Sequence, residues 1–163
     1  METSSISEIK KELQLLSPKE LIEICLRLAK YKKTNKELAH YILFESQNEN
    51  GYIEKAKIEI SNRFEEMPTS SLFFSTKHLR KTLRIAKQYA QYSKLPQTEI
   101  ELLLHFCFEL KKLKNYWQKY QAIEGIYERQ IIKIASDLKK LHEDLQYDYK
   151  IMLKKIIDLN KEF

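Results

Sequence analysis

Only two glycines and three prolines occur in 163 residues, and that scarcity restricts the fold more than any other feature of the chain. Sheets, hairpins and strand crossovers depend on tight turns, many of which place a residue at positive φ, where glycine is least strained. A chain poor in such residues and rich in Leu, Ile, Lys and Glu is expected to be all helix. Apolar residues make up 43% and charged residues 32%, both in the globular range, so wholesale disorder is not expected. A chain of this length buries about 70% of its unfolded surface in one domain. The expectation is therefore all-α: a single domain over residues 1–163, with six to eight helices in antiparallel hairpins. Either a multi-helix bundle or a short α-solenoid satisfies it.

The same scarcity excludes several chemistries. A phosphate cradle needs clustered glycines so that backbone N–H groups can approach the ligand. Gly51 and Gly125 stand alone, so a P-loop, a dinucleotide fingerprint and a nucleophile elbow are absent. The longest strongly apolar run, Leu102–Phe108, has seven residues including His105, far short of the roughly 20 that span a bilayer. Met1–Ser5 shows neither a basic nor an apolar leader pattern, so a soluble cytoplasmic protein is expected. Cys25 and Cys107 each sit in an apolar helical pattern and are expected as buried free thiols.

Helix start signals divide the chain. Ser5-Ile-Ser-Glu8 forms a capping box, followed by Ile6, Ile9, Leu13 and Leu16 on one face. Ser17-Pro18-Lys19-Glu20 opens a second helix, with Leu21, Ile22, Cys25, Leu28 and Ala29 inward and an end near Lys33. Thr34 opens a third, carrying Leu38, Tyr41, Ile42 and Phe44, and Ser46–Gly51 is a loop by composition. A fourth helix runs from about Tyr52 to Glu66, and Thr69-Ser-Ser caps a fifth that reaches Ser93. Pro96 opens the sixth, with Thr98-Glu-Ile-Glu101 as its capping box and Ile100, Leu103, Leu104, Cys107 and Leu110 inward.

Beyond Leu113 two paths remain: Gly125 ends a helix as its C′ residue, or Asn115 breaks the chain and Gly125 lies inside the next helix. A single helix from Gly125 to Phe163 would be roughly 60 Å long, so it must break, project or pair with another chain. A break is expected at His142–Tyr149, where the apolar spacing stutters. Ile123, Ile132, Ala135, Leu153 and Ile157 widen its stripe beyond a coiled-coil seam, favouring a packed helical body.

Charge is the one feature that points to a partner. Between Met67 and Thr98 stand Lys77, Arg80, Lys81, Arg84, Lys87 and Lys94 with no acidic residue, which equals the net charge of +6. At 100° per residue the first five fall within an arc of roughly 120°, opposite Leu79, Leu83, Ala86 and Ala90. Such a stripe suits phosphates of a nucleic-acid backbone, an acidic protein surface or an anionic membrane face. The alternative is an ordinary solvated helix face.

Other constellations are weaker. Glu37-Leu-Ala-His40 has the Glu-x-x-His spacing of a di-iron bundle, but no second such pair exists. Glu101 and His105 share a helix face, which a surface ion pair and a partly buried histidine explain. His105 and Cys107 are two apart and do not face each other, so Cys-His chemistry needs His40 or His142 brought to a cysteine. Leu141–Tyr149 combines His142, two tyrosines and Glu143, Asp144 and Asp148: a contact patch, or acids at a helix start.

Leu16–Tyr31 and Leu141–Tyr149 resemble a family of small bacterial helical proteins with no assigned activity. The resemblance implies an all-α single domain and carries no functional residue across. A non-catalytic protein-interaction module, without cofactor or metal, is the expected function. The alternative is a nucleic-acid-associated protein that uses Lys77, Arg80, Lys81, Arg84 and Lys87. A deep pocket where His, Glu and Tyr converge would instead favour an enzyme, and self-association through the C-terminal stripe stays open.

Overall fold

The computed structural model describes residues 3–113 and 120–158. They form eight α-helices and no strand: α1 (Ile6–Gln14), α2 (Pro18–Tyr31), α3 (Lys33–His40), α4 (Glu49–Glu65), α5 (Leu72–Ser93), α6 (Pro96–Lys112), α7 (Gln121–Leu138) and α8 (Glu143–Asp158). A π-helical turn, Tyr41–Glu45, follows α3. The chain divides into two compact units, Met1–Phe44 and Glu45–Phe163. No described helix is long and apolar enough to cross a membrane.

Both expected capping boxes of the first unit form. Ser5 N–H donates to Glu8 Oε2 at 2.7 Å and Glu8 N–H returns to Ser5 Oγ at 3.3 Å. Ser17 and Glu20 repeat the exchange at 2.8 and 3.4 Å, with Pro18 at the first helical position. Helix α2 stops two residues before the expected end, because Lys32 turns extended at φ −142° and caps α3. The expected inward faces do not close: no residue of α1, α2 or α3 is buried. Ile22 and Leu28 remain 60% and 56% exposed, and Cys25 is an exposed thiol rather than a buried one. Three short helices supply too few layers to enclose a core.

In the second unit α6 is the central helix, packed against α4, α5, α7 and α8. That position explains why Ile100, Leu102, Leu103, Phe106, Cys107 and Leu110 are all buried, on more than one side of the helix. Helix α4 brings Tyr52, Ile53, Ala56, Ile60 and Phe64 to this core at helical spacing. Phe64 meets Phe106 edge-to-face, with ring centroids 5.2 Å apart. Ile123, Ile126, Ile134 and Leu138 of α7 and Tyr149, Leu153 and Ile156 of α8 complete it. Burying each large apolar side chain contributes about 1.5–3 kcal/mol against the chain entropy lost on folding.

Several local expectations change for identifiable reasons. Helix α4 begins at Glu49 because the Asn48 side chain accepts from Gly51 N–H at 3.0 Å, which shortens the loop. Thr98 is no cap: α6 starts after Leu95 without a side-chain cap, and Thr98 is buried in its first turn. Gly125 lies inside α7 without a positive φ, so the C′ alternative falls. Asn115 lies outside the described residues. The C-terminal break comes at residues 139–142, meeting the expected region only at its first residue and leaving Glu143 and Asp144 in the first turn of α8 where the helix dipole favours acids. Of the five residues expected to widen the stripe, Ile132, Ala135 and Ile157 are exposed, whereas Ile123 and Leu153 are buried.

Candidate functional site

Helix α5 is anchored by one face and free along the other. Ser75, Thr76, Leu79, Thr82, Ala86 and Ala90 are buried, while Lys77, Arg80, Lys81 and Arg84 are exposed. Two further bonds fix the helix. His78 Nε2 lies 2.7 Å from the Arg63 carbonyl of α4, and Ser75 Oγ donates to the Pro68 carbonyl at 2.5 Å in the segment before α5. None of the five stripe cations enters an ion pair among the described residues. The structure therefore brings Lys77, Arg80, Lys81 and Arg84 together on a solvated face.

Lys87 differs. It is only half-exposed and lines a concavity of about 430 Å³ with Lys94, Glu99, Asp137 and Lys140. Asp137 is buried between Lys133 and Lys140, and Glu99 pairs with Lys133 at 3.1 Å. Burial opposes the charge on Asp137, but those lysines outweigh it and hold the carboxyl below its usual range. Among the described residues, the stripe cations with no carboxylate beside them are thus those of residues 77–84 rather than the whole stripe.

Sequence patterning also left two aromatic residues unassigned. Phe73 and Phe74 are 68% and 55% exposed at the start of α5, with ring centroids 5.4 Å apart. At helical spacing Phe73 precedes Lys77 by four residues and Arg80 by seven, so it heads the same stripe. The signal was present: two consecutive aromatics beside the cationic arc.

A second polar assembly joins α4, α6 and α8 beside an open cavity of about 830 Å³. Lys57 donates to Glu101 Oε2 at 2.9 Å, and Tyr149 OH to Glu101 Oε1 at 2.7 Å. Burial raises the Glu101 pKa, but the Tyr149 and Lys57 hydrogen bonds outweigh it and hold the carboxyl below its usual range. One turn on, Ser61 Oγ lies 2.8 Å from His105 Nε2 and donates to Glu109 Oε1 at 3.0 Å. Burial lowers the His105 pKa, and the Glu109 charge opposes this only in part. The hydroxyl and carboxylate share the Nε2 side of the ring, with Glu109 Oε1 3.7 Å from that atom. A nucleophile–base–acid relay instead sets them on opposite ring nitrogens. The Glu101, His105 and Glu109 spacing of four on an otherwise apolar helix was the sequence signal for this assembly.

The remaining candidates separate. Glu37 pairs with Lys33 at 3.4 Å, and the His40 ring stacks near Phe44 at 5.2 Å. Cys107 is buried with its thiol pushed up to about 12, chiefly by burial, so it is held protonated and unreactive. His142 lies 3.3 Å from Asp144, with both side chains in solvent. In the C-terminal cluster Tyr149 turns inward and Tyr147 outward. Among the described residues no group of three or more His, Cys, Asp or Glu is placed to hold a metal ion. No protein family, curated protein or solved structure matches the chain.

Proposed function

We propose that the protein is a helical interaction module that binds an anionic partner through the outward face of α5. The observation that carries this reading is the row Lys77, Arg80, Lys81 and Arg84: exposed, outside every ion pair among the described residues, and borne on a helix whose other face is fixed in the core. Several surface cations elsewhere in the second unit are paired, as Lys57, Arg63 and Lys112 are with Glu101, Glu59 and Glu109. Rigid mounting also means that little helix-ordering entropy is lost on binding.

The expected behaviour is binding to a polyanion such as heparin that weakens as salt rises. Arg80→Glu with Arg84→Glu should abolish it while leaving the helical circular dichroism intact. Unchanged binding by that variant would overturn the reading. A nucleic-acid backbone and an acidic protein surface both belong to this class of partner.

A further inference from the structure

From the position of Phe73 and Phe74 we infer that the anionic partner of α5 is a lipid bilayer, which the helix meets side-on, with the two rings entering the acyl boundary. The inference rests on the reading of α5 as an anion-binding face and names its partner.

Three observations converge. Phe73 heads the ridge that continues as Lys77, Arg80 and Arg84, so rings and cations point the same way. The row from Phe73 to Arg84 runs about 17 Å along a straight helix, and a planar surface meets all of it at once. The rings, 68% and 55% exposed, have no polar atom and contact each other edge-to-face. A duplex backbone or an acidic protein surface satisfies the cations but offers these rings no apolar seat; unpaired bases can stack on exposed rings, and the single-stranded RNA probe below separates that case. A bilayer supplies both: anionic headgroups for the cations and the acyl boundary for the rings.

The fold also limits the depth. The apolar face of α5 is committed to Leu79, Ala86 and Ala90 in the core, so the helix cannot roll and bury itself as a free amphipathic helix does. Binding is peripheral and reversible, set by a few cations and two rings. Each cation held at an anionic leaflet raises partitioning roughly fivefold, and seating each exposed ring adds roughly tenfold.

The test is co-sedimentation of the intact chain with phosphatidylcholine vesicles, with and without phosphatidylserine, at low and high salt. Single-stranded RNA, duplex DNA and polyglutamate serve as parallel probes. The expected result is binding to the phosphatidylserine vesicles and not to neutral ones, dependent on Phe73 and Phe74, while any binding to RNA, DNA or polyglutamate is weaker and indifferent to the two rings. Removing Arg80 and Arg84 with alanine should cost roughly 25-fold, and Phe73→Ser with Phe74→Ser at least tenfold. All four positions are exposed, and circular dichroism and urea midpoint confirm that each variant folds. Should the double ring variant fail that check, Phe73→Ser and Phe74→Ser are read singly, each expected to weaken vesicle binding roughly tenfold. Vesicle binding that is indifferent to the rings, or equal on neutral lipid, overturns the inference. Binding to RNA, DNA or polyglutamate without vesicle binding overturns the bilayer but leaves the anionic-partner reading standing. Binding to none of the anionic probes overturns both.

Discussion

Glu101→Gln tests how far the polar assembly holds α4, α6 and α8 together. The carboxylate accepts from Lys57 at 2.9 Å and from Tyr149 at 2.7 Å, and the Lys57 and Glu101 side chains are 23% and 20% exposed. Hydrogen bonds to a charged group contribute about 1.5–3 kcal/mol each when buried. Three effects reduce that figure here: partial solvent screening, the ion pair that Lys57 keeps with Glu54, and relief from burying the charge. A loss of about 2 kcal/mol remains, or about 4–8 °C in Tm for a chain of this size. Urea and thermal unfolding at neutral pH measure it. Tyr149→Phe in both backgrounds completes a cycle with a coupling of about 1 kcal/mol expected. The pH dependence has a defined sign. Because the folded Glu101 pKa is depressed, its contribution is present above the unfolded value and is lost as pH falls through the folded one. The gap between wild type and Glu101→Gln should therefore shrink in acid. An unchanged midpoint, or no coupling to Tyr149, would refute this account of the assembly.

Two further outcomes follow from local geometry. Lys94 caps α5 at φ 60° and donates its N–H to the Ala90 carbonyl at 2.9 Å. Relief of the left-handed strain in Lys94→Gly should stabilise the fold by about 1 kcal/mol, read as a rise in urea midpoint. Under native conditions a thiol reagent should label Cys25, which is exposed, and leave Cys107 untouched until the chain unfolds. Native labelling of Cys107 would contradict the packing around α6.

The helices were legible because their signals are local. Ser5, Ser17, Pro18 and Pro96 mark starts within a turn, and the 3-4 spacing of Ile53, Ala56, Ile60 and Phe64 marks a buried face. The exposure of α1–α3 was not legible, since amphipathic spacing shows which face is apolar but not whether another layer covers it. Thr98 looks like a cap in sequence and lies in the core because Leu95 turns extended before it. The pairing of Ser61 with His105 and of Glu101 with Tyr149 spans more than forty positions, beyond anything periodicity can carry. The cationic stripe was legible as an arc on one helix. Its weakening near Lys87 was not, because that depends on Asp137 and Glu99 arriving from α7 and α6.

The most direct test of the central claim compares two variants that lose the same charge. Lys77→Ala with Lys81→Ala removes two cations from the exposed face of α5, and Lys10→Ala with Lys11→Ala removes two exposed lysines from α1. Heparin affinity is measured for each across a salt series. The α5 pair should lose most of the affinity and flatten the salt dependence, while the α1 pair stays close to wild type. Equal losses from the two pairs would mean that net charge, and not the α5 face, governs binding, and would contradict the account.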